Sequence, residues 1–426
     1  MDKPDTERIT SAFFRQYVVA LFLLLTVYIA SASEMEPSNE VPLISGSVSG
    51  AWWSGSRSLD DKKGLPDAAL WLKTEPKSSN VSAVVDGWIR NEDLSRDGST
   101  KSRLREVFVG TSAGTVDLRA GRQILVWGRA DQINPTDNLT PRDFTLLVPD
   151  VADDRLGTDA VLVSHRRGNY SFSAIWLPHF RPNIVPLPRG LSLHEQTPTS
   201  ARQWAFKLDR SGGEGVDWSL SSYSGFDLNP TLAVLPNGQR GELLERHPRI
   251  RVTGGDFAIP VGRFGLRGEV AYTSTEDPNG TDPLKKKPFF FGVFGVERTF
   301  FDYLNVNVQY YVYSVKHYLD PRQVSDAGLR QIAISQAIAN HELDQSAQGL
   351  AIRIANKWWN ETLEGEIALL TSFDRKDYAV KPKLVYAIND HLKATLGADI
   401  LRGSQDAFFG RLQKNSAAFS EFRYSW

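Results

Sequence analysis

Residues 305–313 read NVNVQYYVY, and their hydrophobicity alternates from one residue to the next. The even positions hold Val306, Val308, Tyr310 and Val312, whereas the odd positions hold amides and then tyrosines. Successive side chains of a β-strand point to opposite faces of the sheet. The pattern therefore predicts a strand with one apolar face and one polar face.

Three further stretches repeat this alternation, and each carries charged side chains on its polar face: residues 115–119, 263–273 and 391–401. Charges in the middle of a strand suit the solvent face of a soluble sandwich. They suit the lumen of a transmembrane barrel equally well. The lengths of the connections between strands distinguish these two alternatives.

The whole chain divides into eighteen candidate strands. Short turns follow the even-numbered candidates, and the longest loops follow odd-numbered ones. This parity is typical of a transmembrane barrel with both termini on the short-turn side. The prediction is an all-β fold, a closed antiparallel transmembrane β-barrel of about 18 strands, with 16 as the alternative. The candidates are residues 44–54, 66–75, 81–90, 103–110, 114–126, 157–166, 169–177, 200–209, 215–225, 248–257, 261–274, 289–299, 303–315, 345–356, 361–372, 378–387, 391–401 and 415–426.

The N-terminal region has the organisation of a cleaved signal peptide. Basic residues precede an apolar run at 17–29, and Ala30-Ser31-Ala32 provides small residues for cleavage. A membrane anchor is the alternative, but about 13 apolar residues fall short of the ~20 that a spanning helix requires. The sequence thus predicts a signal peptide over residues 1–33 and a barrel over residues 34–426.

At the other end of the chain, Phe422, Tyr424 and Trp426 alternate with polar residues. A last strand that ends on an aromatic residue resembles the terminal signature by which the barrel-assembly machinery recognises outer-membrane proteins. The alternative is an ordinary amphipathic strand.

Composition excludes several classes of function. The chain has no cysteine, which rules out disulfide frameworks, thiolate metal sites and a cysteine nucleophile. Its 49 basic and 50 acidic residues nearly cancel, which argues against nucleic acid as a partner. The seven histidines show no metal-ligand spacing, and Ser164 and His165 would point to opposite faces of a strand. No catalytic residue, metal site or cofactor is expected.

The most distinctive stretch follows the fifth candidate strand. Residues 118–123 read LRAGRQ and residues 127–143 read WGRADQINPTDNLTPRD. The first part resembles a strand motif of large porin-like barrels, including the alginate-export family. The second part resembles porin-like proteins of uncharacterised function. This resemblance implies a channel and leaves its cargo open.

Residues 128–156 are too long for a rim turn and too rich in Asp, Asn, Pro and Arg for another strand. We expect this loop to fold into the lumen, held by internal salt bridges; an exposed extracellular loop is the alternative. The candidate constriction residues are Arg129, Asp131, Asp137, Arg142 and Asp143. Residues 325–345 break the strand pattern, and apolar residues at helical spacing predict a short amphipathic helix in an extracellular loop.

Charges on the predicted polar faces indicate the selectivity of such a channel. Basic side chains outnumber acidic ones there by thirteen to eight, so anion selectivity is expected. The hypothesis is a passive outer-membrane channel for small polar or anionic solutes or an acidic polymer, surrounded by outer-membrane lipids, as a monomer or as a homo-oligomer. An outer-membrane hydrolase and a non-conducting scaffold for assembly or adhesion are the alternatives. The candidate lumen residues are Asp117, Arg119, Arg249, Arg251, Arg263, Arg267, Glu269, Arg353, Lys381 and Lys383.

Overall fold

The structure is a computed structural model that describes residues 44–95, 100–186, 192–198, 202–213, 215–234 and 242–426. The predicted signal peptide, residues 1–33, lies outside the described residues.

The described residues form twenty-one strands. In chain order they are β1 (Ser45–Trp53), β2 (Leu65–Thr74), β3 (Val81–Asn91), β4 (Thr100–Ala113), β5 (Val116–Gln123), β6 (Thr158–Arg167), β7 (Tyr170–Leu177), β8 (Ser192–Gln196), β9 (Gln203–Arg210), β10 (Asp217–Phe226), β11 (Thr231–Val234), β12 (Glu242–Arg246), β13 (Arg249–Val261), β14 (Phe264–Ser274), β15 (Phe289–Phe300), β16 (Leu304–Val315), β17 (Ser346–Trp358), β18 (Leu363–Ser372), β19 (Asp377–Ala387), β20 (Leu392–Arg402) and β21 (Ala417–Ser425).

Eighteen of these strands form one antiparallel sheet that closes on itself. β1 pairs with β2 along one edge and with β21 along the other, where Ser47 lies opposite Ser425 and Trp53 opposite Phe419. Closure pairs both edges of the sheet, so every strand has two hydrogen-bonded neighbours. The predicted barrel is confirmed, with 18 strands rather than the alternative of 16.

A small second sheet was not predicted. β12 pairs antiparallel with β11 and parallel with β8. These strands have four or five residues each and lie within segments that the sequence indicated to be long loops. Strands this short carry too few residues for an alternation to be recognised.

The barrel wall has an apolar exterior and a polar interior, as β16 illustrates. Val308, Tyr310 and Val312 are 37–40% exposed on the outside. Asn307 and Gln309 point inward and are at most 2% exposed. The faces predicted for this strand are therefore confirmed.

The predicted helix within residues 325–345 is also present. Helix α1 (Ala327–Ala339) begins after Asp326, whose side chain accepts a hydrogen bond from the backbone N–H of Leu329 at 2.8 Å. Gln336 donates to the carbonyl of Leu232 on β11, which joins α1 to the small sheet. Helix α2 (Phe408–Arg411) is a single turn in the loop before β21. In the described part of the chain, no helix has both the length and the apolar character needed to cross a membrane.

Candidate functional site: the lumen and its inward loop

The loop between β5 and β6, residues 124–157, folds into the barrel and contacts opposite sides of its wall. Its first half is bound to β9, β13, β14 and β16. Its second half is bound to β3, β19 and β21. We call this segment the constriction loop. The expected inward fold is confirmed, and the alternative of an exposed extracellular loop is excluded.

The first anchor of the constriction loop is centred on Arg129 and Glu269. Arg129 binds Asp209 at 2.9 Å and also forms an ion pair with Asp256. Glu269 accepts hydrogen bonds from the backbone N–H and the hydroxyl of Thr136, at 2.7 and 2.8 Å. Charge-assisted bonds of this kind hold the loop rigidly against the wall.

Gly128 makes this close approach possible. Its φ is +92°, and a Cβ atom at this position would lie 2.5 Å from a carboxylate oxygen of Glu269. Glycine is therefore required, because it adopts positive φ without strain and leaves room for the carboxylate. This contact explains the Trp-Gly pair of the sequence motif.

The second anchor joins the loop to the opposite wall. Arg90 donates to the carbonyl of Leu147 at 2.8 Å, and Lys383 binds Asp150 at 2.6 Å. Arg423 pairs with Asp153 at 3.6 Å. With both ends held, the loop crosses the lumen and narrows it.

Apolar side chains of the constriction loop also pack against the inner wall of the barrel. Leu125, Trp127 and Leu139 form a cluster with inward-facing residues of the wall, including Ile250 and Val252. The interior of the barrel therefore contains its own hydrophobic core where the loop meets the wall.

The five candidate constriction residues have different roles. Arg129 binds the wall, as described above. Arg155 pairs with Asp137 at 2.6 Å inside the loop, and Arg142 pairs with Asp154 at 2.9 Å. Two further candidates, Asp143 and Asp131, take other positions. Asp143 lies 3.6 Å from Arg103 of β4, and Asp131 is exposed.

Seven of the ten candidate lumen residues point inward, because residues directly opposite each other in neighbouring strands share a face. Several form ion pairs: Arg267 with Glu297 at 3.0 Å, Arg353 with Glu366 at 2.7 Å. The inward residues are Asp117, Arg119, Arg267, Glu269, Arg353, Lys381 and Lys383.

The other three candidates do not line the lumen. Ile250 and Val252 of β13 are 6% and 4% exposed inside the barrel, so Arg249 and Arg251 between them point outward. Arg263 lies in the two-residue turn between β13 and β14 and is exposed. The prediction was wrong because the apolar face of β13 packs against the constriction loop instead of facing lipid.

One of the eight acidic residues that were counted on the predicted polar faces, Asp159, also does not line the lumen. Asp159 lies opposite Arg122 on the outward face, and the two side chains form an ion pair at 3.0 Å. Inward charges outside the predicted set were missed, among them the buried pair Arg90 and Asp67 at 3.4 Å. The alternation of β2 and β3 was the available signal for this pair.

With these corrections the inward charges nearly balance. The described barrel strands place fifteen basic and fourteen acidic side chains on the lumen face, so the expected surplus of five positive charges is absent. The basic set is Lys73, Arg90, Lys101, Arg103, Arg105, Arg119, Arg166, Lys207, Arg267, Arg353, Lys357, Lys381, Lys383, Lys393 and Arg423. The acidic set is Asp67, Asp86, Glu106, Asp117, Asp209, Asp217, Asp256, Glu269, Glu297, Glu364, Glu366, Asp377, Asp399 and Glu421.

The two signs are unevenly distributed around the wall. β17–β21 and β1–β4 carry eleven basic and eight acidic side chains, whereas β5–β16 carry four basic and six acidic side chains. The constriction loop, which is rich in aspartate, is held between these two parts of the wall.

Comparison with solved structures shows the same fold in three β-barrel proteins whose sequences are very different from this one. The chain is similar to Pseudomonas aeruginosa OccK5 (OpdH), with a TM-score of 0.52 and 11% identity over 90% of this chain and 96% of that one. It is similar to Acinetobacter baumannii OccAB1, with a TM-score of 0.52 and 9% identity over 90% and 96% of the two chains. P. aeruginosa OccD3 (OpdP) gives a TM-score of 0.51 and 11% identity over 91% of each chain.

Comparisons at the level of sequence gave no match, either to a family model or to a curated protein. What the solved structures share with this chain is therefore the porin-like β-barrel fold.

Proposed function

We propose that this protein is a passive channel of the outer membrane for small polar solutes. The observation that carries the proposal is the constriction loop, which crosses a closed barrel whose inner wall is lined by charged side chains. A barrel of eighteen strands is wide enough to enclose an aqueous channel, and an inward loop sets its narrowest cross-section. The apolar exterior provides the surface that a lipid bilayer requires.

The charged lining supports selection by size and by the arrangement of charge. Arg353, Lys381 and Lys383 point into the lumen from β17 and β19. Asp131 is exposed on the loop, and Asp150 joins the loop to Lys383. Opposite charges on two sides of a narrow passage orient polar solutes, while the nearly balanced total favours neither sign strongly.

Conductance of the refolded chain in a planar bilayer tests the proposal. We expect discrete ohmic steps, because diffusion through a fixed passage responds linearly to voltage. A correctly folded barrel that carries no current would refute the channel and favour the scaffold alternative. Hydrolysis of an ester or peptide that one Ser→Ala change abolishes would favour the hydrolase.

The variant Arg129→Ala tests whether current passes beside the constriction loop. Loss of the ion pairs with Asp209 and Asp256 weakens the first anchor and makes the loop more mobile, so single-channel conductance and current noise should both rise. Arg298→Ala is the matched control, since Arg298 lies on the outside of β15 against Phe300. Heat-modifiable migration in electrophoresis verifies that both variants fold.

A further inference from the structure

Two arginines on the outside of the barrel have no role in the proposed channel. Arg249 and Arg251 alternate along the start of β13 and point away from the lumen, beside the long loops. A charged side chain on the outer wall of a membrane barrel is costly unless it lies at headgroup depth. Their position therefore requires an explanation in terms of what surrounds the barrel.

A third basic residue lies in the same row across the strands as Arg251. Arg251 is opposite Ser274 of β14, and the register that pairs Thr273 with Phe289 places Ser274 next to Pro288. The backbone N–H of Lys316 donates to the carbonyl of Pro288 at 2.7 Å. Neighbouring strands are about 4.8 Å apart, so three strand spacings separate the backbones of Arg251 and Lys316 by about 14 Å. We call Arg249, Arg251 and Lys316 the outer basic patch.

The patch has positive charge to offer to a ligand. In the described part of the chain, neither Arg251 nor Lys316 forms an ion pair, and both are exposed. The carboxylate of Glu276 accepts a hydrogen bond from the backbone N–H of Arg249 at 2.8 Å and forms its ion pair with Arg246. Arg249 stacks on the ring of Phe226 at 4.8 Å from its centroid, which orients the guanidinium without neutralising it.

The patch borders the aromatic edge of the apolar outer surface. Tyr272 and Phe290 are 37% and 41% exposed on the outer wall, and their ring centroids are 4.7 Å apart. The ammonium group of Lys316 lies 5.0 Å from the centroid of Phe290. Tyrosines and other aromatics mark the boundary between hydrocarbon and headgroups, so basic groups directly beyond them lie at the depth of lipid phosphates.

We propose that the outer basic patch binds the phosphate groups of lipid A, the bisphosphorylated glycolipid of the outer leaflet. The proposal rests on the outer-membrane location inferred above. An arginine guanidinium accepts a phosphate in bidentate geometry, and lysine supplies a point charge. The two ends of the patch, Arg251 and Lys316, are far enough apart to bind the two phosphates of one disaccharide. Tyr272 and Phe290 between them offer an apolar surface to the acyl chains.

Binding of purified bisphosphoryl lipid A to the refolded full chain in detergent tests this inference, with native mass spectrometry as the readout. The double variant Arg251→Ala/Lys316→Ala should weaken binding at least about tenfold, because each basic group contributes separately to attraction for an anionic lipid. Arg298→Ala is the matched control: it removes an outward arginine, stacked on Phe264 and Phe300, from the opposite rim of the barrel. The control variant should bind as the unmodified chain does.

Two further probes identify the source of the phosphate. Monophosphoryl lipid A should bind more weakly than the bisphosphoryl form, and inorganic phosphate at equal concentration should not displace either lipid. Displacement by inorganic phosphate, or equal binding by the double variant, would overturn the inference. Conductance of the double variant should equal that of the unmodified chain. A barrel that conducts but does not bind lipid A would contradict this inference alone. A barrel that binds lipid A but does not conduct would contradict the channel alone.

Discussion

Individual residues determine which side chains reach the lumen. At Asp86 and Gly87 the pairing of β3 with β4 shifts its register. Because of this bulge, Arg103 and Arg105 both point inward. Arg105 lies 3.6 Å from Asp86 and 4.3 Å from the ring centroid of Trp71. One irregularity in the ladder therefore adds a buried, paired charge to the wall.

Two adjacent residues of β19, Leu384 and Val385, point to opposite faces of the barrel wall at nearly the same depth in the membrane, so they test the assignment of the faces. Leu384 is 41% exposed on the outer wall, whereas Val385 points inward between Glu364 and Thr395. Leu384→Arg should reduce the free energy of unfolding by roughly 2 kcal/mol or more, since it places a charge in lipid. Val385→Arg gains Glu364 as a partner and should cost less than about 1 kcal/mol.

Reversible unfolding by urea in lipid vesicles measures both costs. Asn307 would be a poor choice for the inward substitution, because its side chain is 2% exposed and closely packed. Equal costs at positions 384 and 385 would contradict the assigned faces.

At the scale of elements, the sequence predicted those strands that are long enough to show an alternation of apolar and polar residues. Each barrel strand has at least eight residues, which is enough for an alternation to appear, and turn parity then identified the closed barrel. The strands β8, β11 and β12 were missed because they are too short. The orientation of β13 could not be predicted, since its apolar residues Ile250 and Val252 pack on a loop that comes from elsewhere in the chain.

The loops over the barrel mouth contain a buried titratable cluster that no sequence pattern indicated. Lys286 binds Asp227 at 2.8 Å, and the backbone N–H of Lys287 donates to Glu342 at 3.1 Å. His341 packs between the rings of Tyr313 and Phe408, with centroid distances of 6.2 and 5.0 Å. These contacts join the loops that precede β11, β15, β17 and β21.

Burial and the neighbouring Lys286 lower the pKa of His341 to about 4. The unfolded loop binds a proton near pH 6.5, so His341 contributes stability above that pH and loses it as the pH falls toward 4. Burial raises the pKa of Glu342 to about 7, which has the opposite effect: this group adds stability as the pH falls from 7. The combined contribution of these two groups therefore changes little between pH 7 and 4.

The variant His341→Asn isolates the histidine contribution. Asparagine does not titrate and tolerates the left-handed backbone of this position, where φ is +60°. The contribution of Glu342 cancels in the comparison with the unmodified chain. As the pH falls from 6.5 to 4, the variant should become more stable than the unmodified chain by about 1.4 kcal/mol for each pH unit. Loop opening measured by limited proteolysis at several pH values gives this difference, and a difference that does not change with pH would contradict the prediction.

At the scale of the whole molecule, the lumen combines a nearly neutral total with a small basic excess on β17–β21 and β1–β4. A surplus of one sign would concentrate counter-ions along the entire pore and give strong selectivity. Here most inward charges are paired, so the long-range attraction of ions is weak. Any discrimination between cations and anions therefore depends on a few exposed groups. Lys381 lies 3.7 Å from Asp399 and is 41% exposed at its side chain, and Lys393 is exposed on β20.

These two lysines and the outward arginines of β13 allow a matched test of ion selectivity. In a salt gradient the unmodified channel should give a reversal potential close to zero. Lys381→Glu/Lys393→Glu reverses two inward charges and should shift the potential clearly toward cation preference, because a narrow passage concentrates the field of its wall. Arg249→Glu/Arg251→Glu reverses the same number of charges on the outside and should leave the potential unchanged, since the wall and its counter-ions screen them over a Debye length of about 8–10 Å. Strong selectivity in the unmodified channel, or a shift caused by the β13 variant that equals that of the lysine variant, would contradict the assignment of charges to the lumen.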